Sequence, residues 1–260
     1  MSRAESSASR RRRAATRRRA LKRNYHAQAT YGKNAGLWAH PYGAVAAEGL
    51  WAHVDRVGFR VPDGVPARGR PLQRSLTPHL DCCPDEMDAG GGKAWPRWRP
   101  IQCFLALDDA LEPDEGGFEC ARGFHREFRA YYDGRAAETA AGLPCVGDYV
   151  HVSPRDDAAV LARVRHVPVP AGAAVFWDQR LPHANARRNG KREPRAVVYG
   201  GFLPRGVAKN DAYAAEQRRR LVAGAPQPNF WMDRSAPLAP PDHAATVAAL
   251  GDRARGLLGL

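Results

Sequence analysis

The chain has 260 residues, is 44% hydrophobic and carries a formal net charge of +13, a length and composition ordinary for a globular protein with one substantial core. No apolar stretch reaches the roughly 18 to 20 residues needed to span a bilayer, so a soluble protein without a transmembrane segment is expected. The charge is unevenly placed: between Met1 and Lys33 eleven Lys and Arg stand against the single acid Glu5, a local +10 that leaves +3 for the rest.

Such a block repels itself and buries almost nothing, so residues 1–34 are expected to form a disordered basic tail outside the core. Three roles fit it equally: an organelle transit peptide, a nuclear-localisation or polyanion-binding arm, and a solvated extension. Without a secretory apolar region after the basic stretch, export is not expected; an intracellular localisation is, with organelle targeting and the nucleus both left open by the Arg-rich N-terminus. The five cysteines, Cys82, Cys83, Cys103, Cys120 and Cys145, lack paired C-x-x-C spacing. They read as reduced thiols rather than a zinc knuckle or disulfide framework.

Residues 35–260 read as a single domain, with a β-rich core over about 72–203 and a helical region over about 205–260. Ala44 to Val57 has apolar residues at Val45, Leu50, Val54 and Val57, a spacing that predicts a short amphipathic helix before an extended segment from Gly58 to Pro62. Gln73 to Thr77 reads as a strand. In Ile101 to Leu107, Ile101, Cys103, Leu105 and Leu107 alternate with Gln102, Phe104 and Ala106, which predicts a strand with two distinct faces. The turn chemistry of Glu112-Pro113-Asp114-Glu115-Gly116-Gly117, followed by Phe118 to Ala121, predicts a hairpin with that strand. His166 to Trp177 reads as β with a tight turn at Pro170-Ala171-Gly172, and Arg195 to Leu203 as another strand. Short strands without β-α alternation predict a mainly β sandwich or barrel. Asp211 to Leu221 and Pro241 to Leu260 read as outer helices.

His79-Leu80-Asp81 follows a predicted strand, and in extended backbone residues i and i+2 point the same way, so an imidazole and a carboxylate are delivered together. One such triplet among nine histidines is weak by itself. It gains weight from Phe176-Trp177-Asp178-Gln179-Arg180-Leu181-Pro182-His183-Ala184-Asn185, which has the form of an apolar strand, a turn and a new strand opening with a histidine. Two histidines and one carboxylate on one face of an octahedral ion leave positions for a bidentate cosubstrate and dioxygen, the arrangement of non-haem Fe(II) oxygenases. Arg195 lies twelve residues after His183. Its planar guanidinium suits a dicarboxylate. The spacing predicts two adjoining antiparallel strands joined by the turn Arg187 to Lys191.

Taken together, Thr77-Pro78-His79-Leu80-Asp81, Ile101 to Asp109, Glu115 to Arg126, and Gly172 to His183 with Arg195 resemble the phytanoyl-CoA dioxygenase family of 2-oxoglutarate oxygenases. The likeness runs from about Leu72 to Leu203, and Leu257-Leu258-Gly259-Leu260 resembles the end of such proteins. It implies a double-stranded β-helix, a cupin-like jelly roll with flanking helices. It implies His79, Asp81 and His183 as Fe(II) ligands and Arg195 as anchor of the distal carboxylate of 2-oxoglutarate. Gln102 and Phe104 would line the cosubstrate pocket, with plain core packing as the alternative. Asn185 is placed either against the cosubstrate or as a turn cap, and His125 is read as structural rather than ligating.

The implied activity is hydroxylation of a small-molecule or lipid-like substrate by dioxygen, with release of succinate and carbon dioxide and with ascorbate as a possible stimulant. The carboxylate of Asp81 favours this over halogenation, for which a small residue stands at that position. The region between Ala35 and Arg70 does not resemble the family's substrate region, which argues against a fatty acyl-CoA. Two other functions stay open: a non-enzymatic or differently metallated cupin-like binder, and a nucleic-acid adaptor acting through the basic tail. Nucleic acid is not expected on the core, and the sequence leaves the oligomeric state open. Gly90-Gly91-Gly92-Lys93 is read as a loop, because Ala94 stands where a phosphate-binding loop needs Ser or Thr. Trp95 to Arg99 reads as a strand lead-in and Arg218-Arg219-Arg220 as a solvated helical face.

Overall fold

The alternation in Ile101 to Ala106 organises the molecule. The structure, a computed structural model, describes residues 49–65, 78–82, 97–138, 149–225 and 243–260. In chain order the strands are β1 (Leu50–Arg60), β2 (His79–Leu80), β3 (Ile101–Ala106), β4 (Phe118–Cys120), β5 (Val150–His151), β6 (Arg165–His166), β7 (Ala174–Asp178), β8 (His183–Asn185) and β9 (Arg195–Pro204). Helices α1 (Phe128–Glu138) and α2 (Ala158–Leu161) lie between β4 and β6, and α3 (Ala208–Val222), α4 (His243–Ala248) and α5 (Asp252–Leu258) follow β9.

The strands form two antiparallel sheets, β1-β9-β3-β7 and β5-β2-β8-β4-β6. From β6 to β9 the chain changes sheet at every connection, as it does from β1 to β4. This alternation is the mark of a jelly-roll-like sandwich, the predicted fold class. Among the described residues no helix is long and apolar enough to cross a membrane.

β3 shows why the two faces differ. Phe104 and Ala106 point into the lumen, in a core with Leu80, Phe118, Val150, Trp177 and Val197. Ile101 and Cys103 point outward, where they pack with Leu50, Ala52, Val54 and Phe202 against Leu221, Leu250, Leu257 and Leu258 of the C-terminal helices. Each face therefore buries its own apolar row.

Three expectations are corrected. Leu50 to Val57 is strand rather than helix: β1 runs antiparallel to β9 from Leu50↔Pro204 to Arg60↔Arg195, with an irregularity between Val54 and Val57. Long-range pairing with β9 overrides the local spacing; Ala44 to Glu48 lie outside the described residues, as do Gln73 to Thr77, Gly90 to Lys93 and the basic tail. β3 and β4 do not form a hairpin, because β3 pairs with β7 and β9 while β4 pairs with β6 and β8. Nor do β8 and β9 adjoin: they lie in opposite sheets, and the Ala186–Pro194 connection crosses the sandwich. Asn189 secures that crossing, donating from Nδ2 to the Arg60 carbonyl at 2.8 Å.

The turn at Pro170-Ala171-Gly172 is present. Gly172, at φ 86°, donates its N–H to Ala106 O at 2.8 Å, a left-handed conformation that favours glycine. The helix expected from Asp211 begins three residues earlier, at Ala208. Arg219 and Arg220 on α3 pair with Glu216 of the same helix, as expected of a solvated face.

β1 is the outer strand of its sheet, and such an edge exposes unpaired backbone groups. Gln217 of α3 covers it: Oε1 accepts the Val54 N–H at 2.8 Å, and Nε2 donates to Ala52 O at 2.7 Å. Gln217→Leu removes both partners from buried groups, each worth about 1–3 kcal/mol when left unsatisfied. Urea denaturation is expected to show a lowered midpoint with an unchanged m value.

Candidate metal centre

β2 is only two residues long, yet it holds a central place: His79 pairs with His183 on β8 and with His151 on β5. Antiparallel pairing puts the His79 and His183 side chains side by side, with ring centroids 4.5 Å apart. Asp81 follows two positions after His79, and its carboxylate turns to the same side. Oδ1 lies 3.6 Å from His79 Nε2, and Oδ2 lies 3.8 Å from His183 Nε2. One donor atom from each of the three residues falls within 4.8 Å of the others, and this is the one such group of His, Cys, Asp or Glu found among the described residues.

The protonation states suit a cation. His183 Nδ1 lies 2.8 Å from the Leu181 carbonyl, an acceptor, so Nδ1 carries the proton and the Nε2 lone pair faces Asp81. Burial, and then the neighbouring His79, lower the His183 pKa to about 4. Burial by itself would raise the Asp81 carboxyl. The charges of His79, His183 and Arg99 and a hydrogen bond from Gln102 outweigh that effect and hold it below the usual carboxylate range. At neutral pH the cluster therefore offers one imidazole lone pair at His183, one carboxylate charge and the His79 ring, a donor set that suits a divalent first-row metal.

The triad opens into a cavity of about 610 Å³, which is also lined by Gln102, Asn185, Trp177 and Tyr199. Trp177 and Phe118 stack around His183, at 5.1 and 5.9 Å between centroids. Tyr149 lies 4.9 Å from the His79 ring, and burial followed by the Asp81 charge pushes its hydroxyl up to about 12. Tyr149 OH is 3.1 Å from His151 Nδ1, so Tyr149, just before edge strand β5, and His151 on that strand form a polar pair in the cavity wall.

Gln102 lies on the cavity wall, and its Nε2 donates to Asp81 Oδ2 in a short contact. Its Oε1 is buried with no hydrogen-bond partner. Phe104 is not among the lining residues. It lies one alternate position further along β3, deep in the core, with its ring 5.1 Å from the Arg195 guanidinium. Arg195 faces the lumen from β9 and, like Phe104, is not among the lining residues; it lies behind Asn185, which is: Nη1 donates to Asn185 Oδ1 at 2.6 Å, and Asn185 Nδ2 donates to Tyr199 OH at 3.1 Å. Asn185 thus belongs to the cavity rather than to a turn cap. The Arg195 guanidinium also interacts with the Tyr199 hydroxyl, while its Nη2 is buried with no partner at hydrogen-bond distance and angle, the kind of atom a bound carboxylate would satisfy.

His125 sits on a short 3-10 turn, Phe124–Arg126, apart from the triad. Cys82 Sγ lies 3.5 Å from Gln179 O within the core rather than at the cluster. Sequence reasoning missed Asp55, Arg99, Tyr149, His151 and Tyr199, all of which line the cavity. The i, i+2 pattern of Tyr149 and His151 resembles that of His79 and Asp81 and was the available signal. Asp55 carried none, because its segment reads locally as helix.

The lowered His183 pKa has a consequence for stability. In the unfolded chain the ring takes a proton near 6.5, while in the folded chain it does so only near 4. The unfolded state binds more protons between those values, so stability is full above 6.5 and falls as pH drops through the window, by on the order of 3 kcal/mol. Thermal melting of metal-free protein is expected to fall between pH 7 and pH 4.5, and His183→Gln should flatten that slope.

No family model matches the chain, and no curated protein matches it in sequence. Among solved structures, the hypothetical protein JW0805 from Escherichia coli aligns with a TM-score of 0.61 at 18% identity, covering 93% of this chain and 68% of its own. GIG2, the GlcNAc-inducible DUF1479 protein of Candida albicans, aligns with a TM-score of 0.59 at 16% identity, covering 83% of this chain and 57% of its own. The chain therefore spans little more than half the length of the Candida protein. EvdO2 from Micromonospora carbonacea var. aurantiaca, complexed with 2-oxoglutarate, gives a lower TM-score of 0.38 at 21% identity, covering 62% of this chain and 54% of its own. The first two likenesses establish a shared two-sheet fold, within which this chain carries a cluster of two histidines and one carboxylate.

Proposed function

We propose that this chain is a 2-oxoglutarate-dependent non-haem Fe(II) oxygenase that hydroxylates a small-molecule or lipid-like substrate. The observation that carries this reading is the convergence of His79, Asp81 and His183 on a cavity whose wall also holds Asn185, itself bonded to the buried Arg195. When bound, Fe(II) and 2-oxoglutarate supply dioxygen-dependent C–H oxidation, coupled to decarboxylation of the cosubstrate to succinate and carbon dioxide.

His79, Asp81 and His183 would hold the metal. His183 and Asn185 are two residues apart on β8, a span of about 7 Å. That separation suits a diacid chelated at one end and held at the other. Arg195 would take the distal carboxylate, its free Nη2 donating to one oxygen while Nη1 stays with Asn185. Gln102 steadies Asp81 through its Nε2. Trp177 and Phe118 exclude water from the side of His183, which protects a reactive centre from solvent. Tyr149, His151 and Tyr199, which also line the cavity, would face a substrate there.

The test is anaerobic addition of Fe(II) and 2-oxoglutarate to the full chain, watched for the visible charge-transfer band of the chelate. The band is expected in wild type and absent in His183→Ala. Iron-loaded wild type without the band would overturn the cosubstrate, and an undiminished band in His183→Ala would overturn the ligand set.

A further inference from the structure

Asp81 is the ligand of the triad least held by its own strand, since it follows the two-residue β2 and its side chain is about a quarter exposed. Its orientation therefore depends on its partners. Arg99, just before β3, places Nη2 3.5 Å from Asp81 Oδ2 and donates from Nη1 to Asp55 Oδ2 at 3.2 Å. Gln102 donates to the same Oδ2, while Oδ1 faces His79. Two donors on one oxygen fix the rotation of the carboxylate and leave the other oxygen toward the imidazole.

What lets Arg99 lie there is a glycine on a different strand. His53, Gly201 and Gln102 are register partners across β1, β9 and β3, so they form one row on the lumen face. A Cβ on Gly201 would come within 2.9 Å of Arg99 Cδ and 3.6 Å of His53 Nδ1. Gly201 is not among the glycines with positive φ, so space rather than backbone conformation calls for glycine here. The Arg99 stem runs through the gap between the two flanking side chains and delivers its head to Asp81.

We propose that Arg99, tethered by Asp55 and seated over Gly201, is the positioning residue that sets the metal-binding orientation of Asp81. The inference rests on the triad being a metal site. Asp55 is almost fully buried and offsets the guanidinium charge, so the pair repels a cation little and acts through orientation. This sets it apart from a purely electrostatic role, which predicts the opposite sign: removing Arg99 would leave the Asp55 charge uncompensated near the metal and tighten binding.

The test uses Co(II) alone, without cosubstrate, titrated anaerobically into the full chain, with affinity and the d–d absorption of the bound ion as readouts. Arg99→Met and Gly201→Ala are each expected to weaken Co(II) binding about 10-fold to 100-fold, the usual effect of losing a ligand's outer partner, and to change the absorption in the same way. Gly201→Ala changes no charge, so its effect isolates geometry. The double variant should be no weaker than either single one, because both act on the same side chain. Arg99→Lys should recover part of the loss. Melting of the metal-free protein checks folding, with Arg99→Gln used in place of Arg99→Met should the latter fail to fold. Wild-type affinity and absorption in both single variants, or tighter binding in Arg99→Met, would overturn the proposal. A wild type that fails to bind Co(II) would instead overturn the metal-site reading, and this inference with it.

Discussion

His183→Ala is expected to lower affinity for Fe(II), or for Co(II) as its stand-in, by more than 100-fold, beyond the 10- to 100-fold that loss of an outer partner costs. The reason is geometric. His79 and Asp81 come from one short segment, whereas His183 comes from β8, and only their pairing across β2 and β8 closes the chelate. Its Nδ1 proton is committed to Leu181 O, so Nε2 is the nitrogen available to a metal. With alanine in place, two donors remain on one side of the cavity. His125→Ala is the control, since His125 lies on the turn Phe124–Arg126 and should leave metal affinity unchanged. Competition titration against a chromophoric chelator measures both. Retention of wild-type affinity in His183→Ala would remove His183 from the ligand set.

Arg195→Met is expected to raise the dissociation constant for 2-oxoglutarate by about 100-fold while leaving metal affinity within a few-fold of wild type. One charge-assisted hydrogen bond from Nη2, at about 1.5–3 kcal/mol, sets the scale of roughly 10- to 150-fold. Arg195→Lys should recover little of this, because a point charge lacks the planar fork. Folding stability should change little. Arg195 is a buried cation with one donor unsatisfied, and a methionine against the Phe104 ring replaces a costly charge with apolar contact. Isothermal titration of the Fe(II)-loaded protein under anaerobic conditions, paired with thermal melting, separates the two effects. Unchanged cosubstrate affinity in Arg195→Met would move the anchor elsewhere.

The legible parts of the fold were those whose signal is local. Ile101 to Ala106 declared both its faces, because alternate positions on a strand are chemically distinct and each met its own core. Pro170-Ala171-Gly172 declared its turn, since a glycine at φ 86° is a local requirement. The outer helices were legible for the same reason. Where the reading failed, the deciding interaction was remote in sequence. The segment from Leu50 to Val57 has helical spacing, yet β9, paired with it from Leu50↔Pro204 to Val57↔Val198, offered a remote partner that a helix could not use. The hairpin expected between β3 and β4 and the adjacency expected between β8 and β9 failed together. Turn chemistry says that a chain reverses but not into which sheet, and a jelly roll sends each strand across to the opposite one.

By itself the sequence determined the chemical types at the centre: two histidines and an aspartate at His79, Asp81 and His183, an arginine at Arg195, and a strand period that turns His79 and Asp81 to one side. Only the tertiary structure decided how they meet. The β2–β8 pairing brings the imidazoles to 4.5 Å, Asn185 rather than a shared strand edge links Arg195 to the cavity wall, and the gap above Gly201 admits Arg99 to Asp81. The physical reason is that side-chain identity and strand period are properties of a few consecutive residues. Register between sheets is settled by burying both faces of β3 and β9 at once, which no short stretch of chain can do alone.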